Sequence, residues 1–237
     1  MAYEGGQTTC PRCGESILEA RYDLEALRES NWAEQLVTRK PGVWRYHELL
    51  PVLNTRHITS LGEGGTPLLK AENLGVMLGL KNLYIKDERQ GPTGSFKDRQ
   101  ASVAISVLRE VGVTEAVVAS TGNVAIAYAA YAARAGIKLW AFLTSQAPSE
   151  KMREAALYGA EVIKVTGTYD QTKAVAAKFA QSKNVFLDRG VKTIAAIESM
   201  KTMGYEIAED LGWRAPDWFI QGVSGGMGPI GLVKGFE

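Results

Sequence analysis

A single lysine placed directly after a glycine-punctuated turn is the position where the sequence most clearly suggests chemistry. Residues 91–99 read Gly-Pro-Thr-Gly-Ser-Phe-Lys-Asp-Arg, and an apolar run follows from Ala101 to Leu108. Gly and Pro indicate a turn, Ser95 is a suitable N-cap, and Lys97 falls in the first turn of a helix. The helix dipole makes this a poor structural place for a lysine but a good one for Schiff-base formation. A surface lysine after a loop explains the nonapeptide equally well.

Two further turns have a composition that suits anion binding. Residues 115–120 predict a short buried strand, which leads through Ser-Thr-Gly-Asn at 120–123 into an alanine-rich helix. Later, Gly-Val-Ser-Gly-Gly-Met-Gly at 222–228 follows a second strand-like segment, and Pro229 begins another apolar stretch. Small residues after a strand let backbone N–H groups approach an anion closely. The second turn has neither the Walker nor the dinucleotide spacing, and taken alone it is more commonly an ordinary tight turn.

Together these segments resemble the pyridoxal-phosphate enzymes of fold type II, and most closely the threonine synthase family within them. The signature Gly-Glu-Gly-x-Thr-Pro-Leu stands at 62–68, Pro-Thr-Gly-Ser-Phe-Lys-Asp-Arg at 92–99, and Ser-Thr-Gly-Asn at 120–123. This ordered set is specific for the cofactor and less so for the reaction, because dehydratases and β-replacement enzymes share the scheme. The chain departs from the pattern with Gly91, Gln100 and Met227, where Asn, Gly and a polar residue are usual.

The resemblance implies a role for each motif. Lys97 would hold pyridoxal 5'-phosphate as a Schiff base and then move substrate protons. Asn123 would hydrogen-bond the ring hydroxyl of the cofactor. The substrate α-carboxylate would be received by Ser120, Thr121 and Gly122. The cofactor phosphate would be held by Val223, Ser224, Gly225, Gly226 and Met227, with a glycine at 225 to admit the phosphate or to adopt a positive φ.

The reaction implied by the resemblance is the conversion of O-phospho-L-homoserine to L-threonine and phosphate. A serine/threonine dehydratase, or another β-elimination or β-replacement enzyme of the same fold, is the alternative within the enzyme class. A non-catalytic binding protein derived from this fold is the alternative outside it. Lys97 favours an enzyme, because simple phosphate binding needs no Schiff-base lysine.

Composition excludes several other classes of function. Lysine and arginine number 27 against 26 acidic residues, so no global field attracts nucleic acid or a membrane surface. No apolar stretch reaches the roughly 18 residues of a membrane span, and no secretion signal opens the chain. Composition thus agrees with a cytoplasmic enzyme, and together with the resemblance it leads us to expect a homodimer that binds a small amino-acid substrate.

The two cysteines, Cys10 and Cys13, form a C-x-x-C turn that could supply half of a zinc site or a redox pair. Residues 16–20 predict a short strand after them, which resembles a zinc-ribbon knuckle, and threonine-synthase-like chains often begin with such a ribbon. A second cysteine pair is absent, and neither His47 nor His57 has ligand spacing. Free thiols in a vestigial knuckle are thus favoured over a filled zinc site.

From residue 80 onward, strand-like and helix-like stretches alternate, which predicts an α/β fold with a mainly parallel sheet. Strands are predicted near 83–86, 115–119, 138–143, 161–165, 184–187 and 217–221. Helices are predicted near 97–110, 124–135, 149–158, 170–181 and 193–210. The first sixty residues predict an irregular arm with one helix near 23–29, which wraps the body or a neighbouring subunit.

The resemblance also implies a domain division within a three-layer αβα architecture. Residues 1–60 would form the arm, 61–98 with 196–237 a large domain, and 99–195 a small domain, each domain with a parallel sheet. Enzymes of this fold type continue after the phosphate loop, and that continuation carries the polar residue facing the pyridine nitrogen. We therefore expect this chain to lack the C-terminal part of the large domain.

Overall fold

The computed structural model describes residues 6–237, in which short helices precede an alternating β/α region. The helices are α1 (Leu24–Glu29), α2 (Trp32–Thr38), α3 (Glu72–Leu78), α4 (Lys97–Glu110), α5 (Asn123–Ala135), α6 (Ser149–Leu157), α7 (Tyr169–Lys183), α8 (Ile194–Asp210) and α9 (Met227–Phe236). The strands are β1 (Leu68–Lys70), β2 (Tyr84–Lys86), β3 (Glu115–Ser120), β4 (Lys138–Thr144), β5 (Glu161–Val165) and β6 (Phe186–Leu187). None of the helices in this range is long and apolar enough to cross a bilayer.

A four-stranded parallel sheet in the order β5-β4-β3-β6 forms the centre of the α/β region. Successive side chains of a strand face opposite sides, and β3 shows the consequence. Ala116 and Val118 face the core that contains α4 and α5, whereas Val117 faces α7 on the other side. Because helices cover both faces of its centre, β3 and β4 are mostly buried and apolar, whereas the edge strands β5 and β6 are only partly buried. The predicted three-layer α/β architecture is confirmed for this sheet.

Most predicted helices are confirmed to within one or two residues, and the helix at 97–110 has the predicted bounds. Alanine-rich α5 is buried along most of its length, which lets it pack closely against β3, β4 and α4. Helix α2 was not predicted. The first sixty residues therefore contain more helix than the irregular arm that the sequence suggested.

Three strand predictions are wrong or shortened. Residues 217–221 pair with no strand within the described chain, and Trp218 and Ile220 are 88% and 92% exposed. An extended segment becomes a strand only where a neighbour accepts its backbone hydrogen bonds. Residues 16–20 are likewise not a strand, and only Phe186–Leu187 of the predicted strand at 184–187 is paired. Residues 84–86 do form a strand, but it runs antiparallel to the unpredicted strand β1.

The N-terminal segment packs on the body of the same chain through buried polar contacts. Trp44 Nε1 donates hydrogen bonds to Glu63 Oε1 (2.9 Å) and to Ser102 Oγ of α4 (2.8 Å). Tyr46, which is fully buried, donates from its hydroxyl to Glu209 Oε2 of α8 (2.7 Å). Through Trp44, these contacts hold Glu63 of the Gly-Glu-Gly signature close to α4, the helix that begins with Lys97.

Candidate active site

The turn before Lys97 is closed by the side chain of Asp98, not by Ser95 as predicted. The backbone N–H and the hydroxyl of Thr93 donate to the two carboxylate oxygens of Asp98, at 2.9 and 2.6 Å. Phe96 occupies the N-cap position of α4 without a side-chain hydrogen bond, and Ser95 Oγ is buried without a partner. Asp98 makes the capping bonds instead, and a buried hydroxyl remains beside the lysine.

Lys97 is the first residue of α4, and its amine is partly buried over the ring of Phe96. Burial lowers the pKa of Lys97 from 10.5 to about 8. Its Nζ lies 3.9 Å from the centroid of the Phe96 ring. At pH 7.5 a pKa of about 8 leaves roughly a quarter of the amine uncharged, against about 0.1% for an unperturbed lysine. The structure thus supplies the nucleophilic form that Schiff-base chemistry requires.

Two departures from the family pattern have a structural explanation in this chain. A Cβ at Gly91 would lie 2.5 Å from Asp98 Oδ2, so the glycine leaves room for the carboxylate that closes the turn. Gln100 is fully buried, and its Nε2 donates to the Tyr128 hydroxyl of α5 at 3.2 Å. Gly91 thus fits the turn that precedes Lys97, and the Gln100 side chain joins α4 to α5.

Helices α4 and α5 run side by side in the same direction. The bond from Gln100 to Tyr128 joins the first half of α4 to the first half of α5. Further along, Ser102 of α4 and Tyr131 of α5 both donate to the buried carboxylate of Glu63. Contacts therefore advance along both helices together. Their N-terminal ends consequently lie at the same end of the pair.

Asn123 is the first residue of α5, so it lies at the end of the helix pair where α4 begins with Lys97. Its side chain is exposed at the loop, and its Oδ1 accepts a hydrogen bond from Lys151 Nζ of α6. The loop before Asn123 begins where the parallel pairing of β3 with β4 ends, at Ser120. The structure thus brings the predicted Schiff-base lysine and the predicted ring-binding amide to one region.

The loop at residues 120–122 presents different groups from those expected. Ser120 is buried, and its Oγ accepts the backbone N–H groups of Gly122 (3.0 Å) and Ala125 (3.1 Å), which caps α5. Thr121 is exposed, whereas Gly122 is buried with a φ of 149°. The exposed Thr121 hydroxyl and the unpaired amides of the first helical turn are the donors that face solvent.

The glycine-rich turn at residues 222–226 is open and leads directly into α9. Ser224 and Gly225 are exposed, and Gly226 is the N-cap with a φ of 86°. Gly225 does not have a positive φ, so that part of its expected role belongs to Gly226. A Cβ at Gly225 would meet no atom within 4 Å, which leaves space for a ligand over the backbone. Val223 is also exposed.

Met227 is buried and directs its side chain into the apolar cluster of α8 and α9, with Met200 and Met203 among its members. Only its backbone can therefore reach an anion at the start of α9. Phe96 packs against the same cluster. The cluster thus connects the beginning of α4, where Lys97 lies, to the beginning of α9.

A buried ion-pair network beneath this region was not predicted from the sequence. Arg99 is 1% exposed and donates two hydrogen bonds to the carboxylate of Glu88 and two to that of Glu206, at 2.7–2.9 Å. Lys86 Nζ lies 2.9 Å from Glu206 Oε2. Burial raises the pKa of Glu206, but the charges of Arg99 and Lys86 outweigh it and lower the pKa to about 2. Arg99, two residues after Lys97, thus joins α4 to Glu206 of α8, and Lys86 joins β2 to the same carboxylate.

The C-x-x-C segment contains two free thiols, Cys10 and Cys13. Backbone N–H groups of Cys13 and Arg12 donate to the Cys10 sulfur and lower its pKa. Within residues 6–237, no group of three or more His, Cys, Asp or Glu side chains could hold a metal ion. The described part of the chain therefore offers no metal centre beside the candidate active site.

Comparison with known proteins agrees with this geometry. The family model for pyridoxal-phosphate dependent enzymes matches residues 59–237. The threonine synthase of Methanocaldococcus jannaschii is 41% identical over 97% of this chain and 56% of its own length. That of Methanosarcina acetivorans is 34% identical over 97% of this chain and 55% of its own. The chain spans about half the length of the curated relatives it matches.

Solved structures share the fold at lower sequence identity. A mutant of O-ureido-L-serine synthase with O-ureido-L-serine bound matches 73% of this chain and 55% of its own, with a TM-score of 0.66 and 22% identity. A processed threonine deaminase from Solanum lycopersicum matches 82% of this chain and 52% of its own, with a TM-score of 0.58 and 22% identity. At these identities the likeness concerns the fold alone.

Proposed function

We propose, since the chain belongs to the family of pyridoxal-phosphate-dependent enzymes, that it binds this cofactor through Lys97 and converts O-phospho-L-homoserine to L-threonine and phosphate. The observation that carries the proposal is the burial of Lys97 at the common end of α4 and α5, which lowers the pKa of its amine to about 8. The 41% identity to a threonine synthase supports this reaction over others of the same fold.

The residues of the region fit the cofactor in three respects. The Lys97 amine has the depressed pKa that bonding to an aldehyde needs. Ser95 Oγ is buried beside it without a hydrogen-bond partner. The backbone of residues 224–226 is open at the start of α9, where N–H groups and the helix dipole favour a phosphate. When bound, pyridoxal phosphate supplies a ring that accepts electrons from the substrate α-carbon.

The chain's own residues then bind, orient and move protons. Lys97 Nζ would accept a proton from the substrate α-carbon and return it at a neighbouring carbon, while phosphate leaves the substrate and a water molecule adds, which balances the conversion to threonine. The Asn123 amide holds the ring oxygen of the cofactor. The Thr121 hydroxyl and the amides at the start of α5 receive the α-carboxylate. Backbone groups of residues 223–227 hold the phosphate.

A domain division, an oligomeric state and a cellular location belong to the same proposal. Residues 61–98 with 196–237 form a large domain and residues 99–195 a small one, with residues 1–60 as an arm. The protein assembles as a homodimer. It acts in the cytoplasm on a small amino-acid substrate, with no nucleic acid or membrane as partner.

Borohydride trapping tests the cofactor bond. Reduction of the chain after mixing with pyridoxal phosphate is expected to fix one cofactor mass on the peptide that contains Lys97. Lys178, an exposed lysine of α7, offers a matched control, because Lys178→Ala should be labelled like the wild type while Lys97→Ala is not. Label spread over several surface lysines would contradict the assignment.

Product analysis tests the reaction. Incubation of the loaded chain with O-phospho-L-homoserine is expected to release phosphate and L-threonine in equal amounts. Release of ammonia and a 2-oxo acid from serine or threonine would instead establish the dehydratase. A chain that carries the label on Lys97 and turns over neither substrate, even when produced at the full length of the threonine synthases it resembles, would establish the binding protein.

A further inference from the structure

Lys151 of α6 lies across the loop that joins β3 to α5. Its ammonium donates a hydrogen bond to Asn123 Oδ1. Its aliphatic carbons rest on Gly122, so closely that a Cβ at that position would lie 3.2 Å from Lys151 Cε and closer still to Cδ. Glycine at 122 therefore leaves space for the aliphatic carbons of Lys151, and it also allows the positive φ of 149° at this position. This contact is separate from every role given above to Lys97 or to the glycine-rich turn.

The position of Lys151 is fixed by the packing of α6. Ala155 is fully buried and Met152 packs against the main core, at positions three residues apart on one face of the helix. Helix α6 is thereby held against α5, and Lys151 in its first turn is carried to the start of that helix. The packing of α6 therefore places the backbone of Lys151 next to the start of α5.

The chemistry of an ammonium group determines which way the Asn123 amide points. The two ends of an asparagine amide have the same shape, so shape alone does not distinguish their orientations. An ammonium has three donors and no acceptor, so the amide atom that faces Lys151 must be the oxygen. The Nδ2 group, with its two donors, is therefore directed away from Lys151.

We propose that Lys151 is a positioning residue that fixes the Asn123 carboxamide so that its NH₂ group, and not its oxygen, is offered to the ring oxygen of the cofactor. This inference rests on the proposed role of Asn123. Without the ammonium the amide can turn and place oxygen against oxygen, which removes the hydrogen bond. The positive charge of the Lys151 ammonium next to Oδ1 also polarises the amide and makes Nδ2 a stronger donor.

The contact can be tested first without cofactor. The side-chain amide signals of Asn123 in a ¹⁵N–¹H spectrum are identified by their loss in Asn123→Ala. Lys151→Met is expected to shift these signals, Lys151→Arg to restore them in large part, and Lys178→Met, the exposed lysine control on α7, to leave them in place. Signals that stay unchanged in Lys151→Met would overturn the proposal.

A double-mutant cycle with cofactor tests the consequence. Lys151→Met is expected to raise the dissociation constant for pyridoxal phosphate about three- to tenfold, the scale of one hydrogen bond. It should also shift the visible absorption band in the direction that Asn123→Ala does. In the Asn123→Ala background the same change should have almost no effect on either quantity.

The outcomes separate this inference from the proposed function. Equal effects of Lys151→Met in both backgrounds would show that the lysine acts independently of Asn123 and would overturn the inference alone. A wild-type chain that binds no cofactor would overturn the proposed function, and this inference with it.

Discussion

The beginnings of α4 and α9 are both assigned to the cofactor, yet they are built in opposite ways. At the start of α4, Asp98 closes the turn and Arg99, 1% exposed, donates four hydrogen bonds to carboxylates. At the start of α9, Ser224 and Gly225 are exposed and little packs over their backbone. The first site is buried and densely hydrogen-bonded, whereas the second is open.

The difference follows from the chemistry assigned to each site. A lysine that forms a covalent bond and then moves protons must be held at one place, because small displacements of reacting groups cost large factors in rate. A phosphate held by backbone N–H groups needs open space for the ligand. The comparison predicts that α4 substitutions act on stability, whereas α9 substitutions act mainly on cofactor binding.

Removal of Arg99 is expected to have the largest effect. Arg99→Met removes the guanidinium from the carboxylates of Glu88 and Glu206, although Glu206 keeps its contact with Lys86, and breaking a buried ion pair costs about 3–5 kcal/mol of unfolding free energy. Arg214, whose side chain is 62% exposed, pairs with the 80% exposed Asp217 and provides the control. Urea denaturation should show a large loss of unfolding free energy for Arg99→Met and little change for Arg214→Met. Equal losses would refute the buried network.

Acid should weaken the same network over a defined pH window. The pKa of Glu206 is about 2 in the folded chain, below its ordinary value of 4.5. A lowered folded pKa means stability that is present above 4.5 and is lost as the pH falls from 4.5 towards 2. Glu206→Gln should be less stable at neutral pH and show a flatter decline over this window. A wild-type curve that runs parallel to that of the variant would contradict the assignment.

The buried amine of Lys97 should lower the free energy of unfolding of the cofactor-free chain. Its folded pKa of about 8 lies below the unfolded value near 10.5, so the unfolded state binds more protons between these values and stability rises with pH there. Lys97→Met should therefore raise the melting temperature at pH 7, on the order of 2–4 °C. The difference should narrow as the pH rises from 8 to 10.5. A difference in melting temperature between Lys97→Met and the wild type that stays constant with pH would argue against a buried amine.

The two glycines of the open turn should respond differently. Gly226, with a φ of 86°, should lose about 1–2 kcal/mol of stability on replacement by alanine, because a Cβ disfavours that backbone region. Gly225→Val should leave the unfolding free energy of the cofactor-free chain within about 0.5 kcal/mol and still weaken cofactor binding. Unchanged cofactor affinity in Gly225→Val would mean that the turn binds no phosphate.

The sequence determined the local features of the protein. Glycine-rich turns followed by apolar helices identified Lys97 and Asn123 as first residues of helical segments, to within one residue. Runs of β-branched and apolar residues identified the strands of the parallel sheet. Such features depend on residues close together in the chain, where spacing and side-chain type suffice. The ordered motifs also identified the cofactor.

Only the tertiary structure decided which distant residues meet. Arg99 contacts Glu206, 107 positions later, and Lys151 reaches Asn123 from another helix. Nothing in the local pattern distinguishes these residues from solvated charges, because burial and pairing arise when separate elements pack together. The strand predicted at 217–221 failed for the same reason: the residues favour extension, but pairing requires a neighbouring strand, and none within residues 6–237 lies beside it.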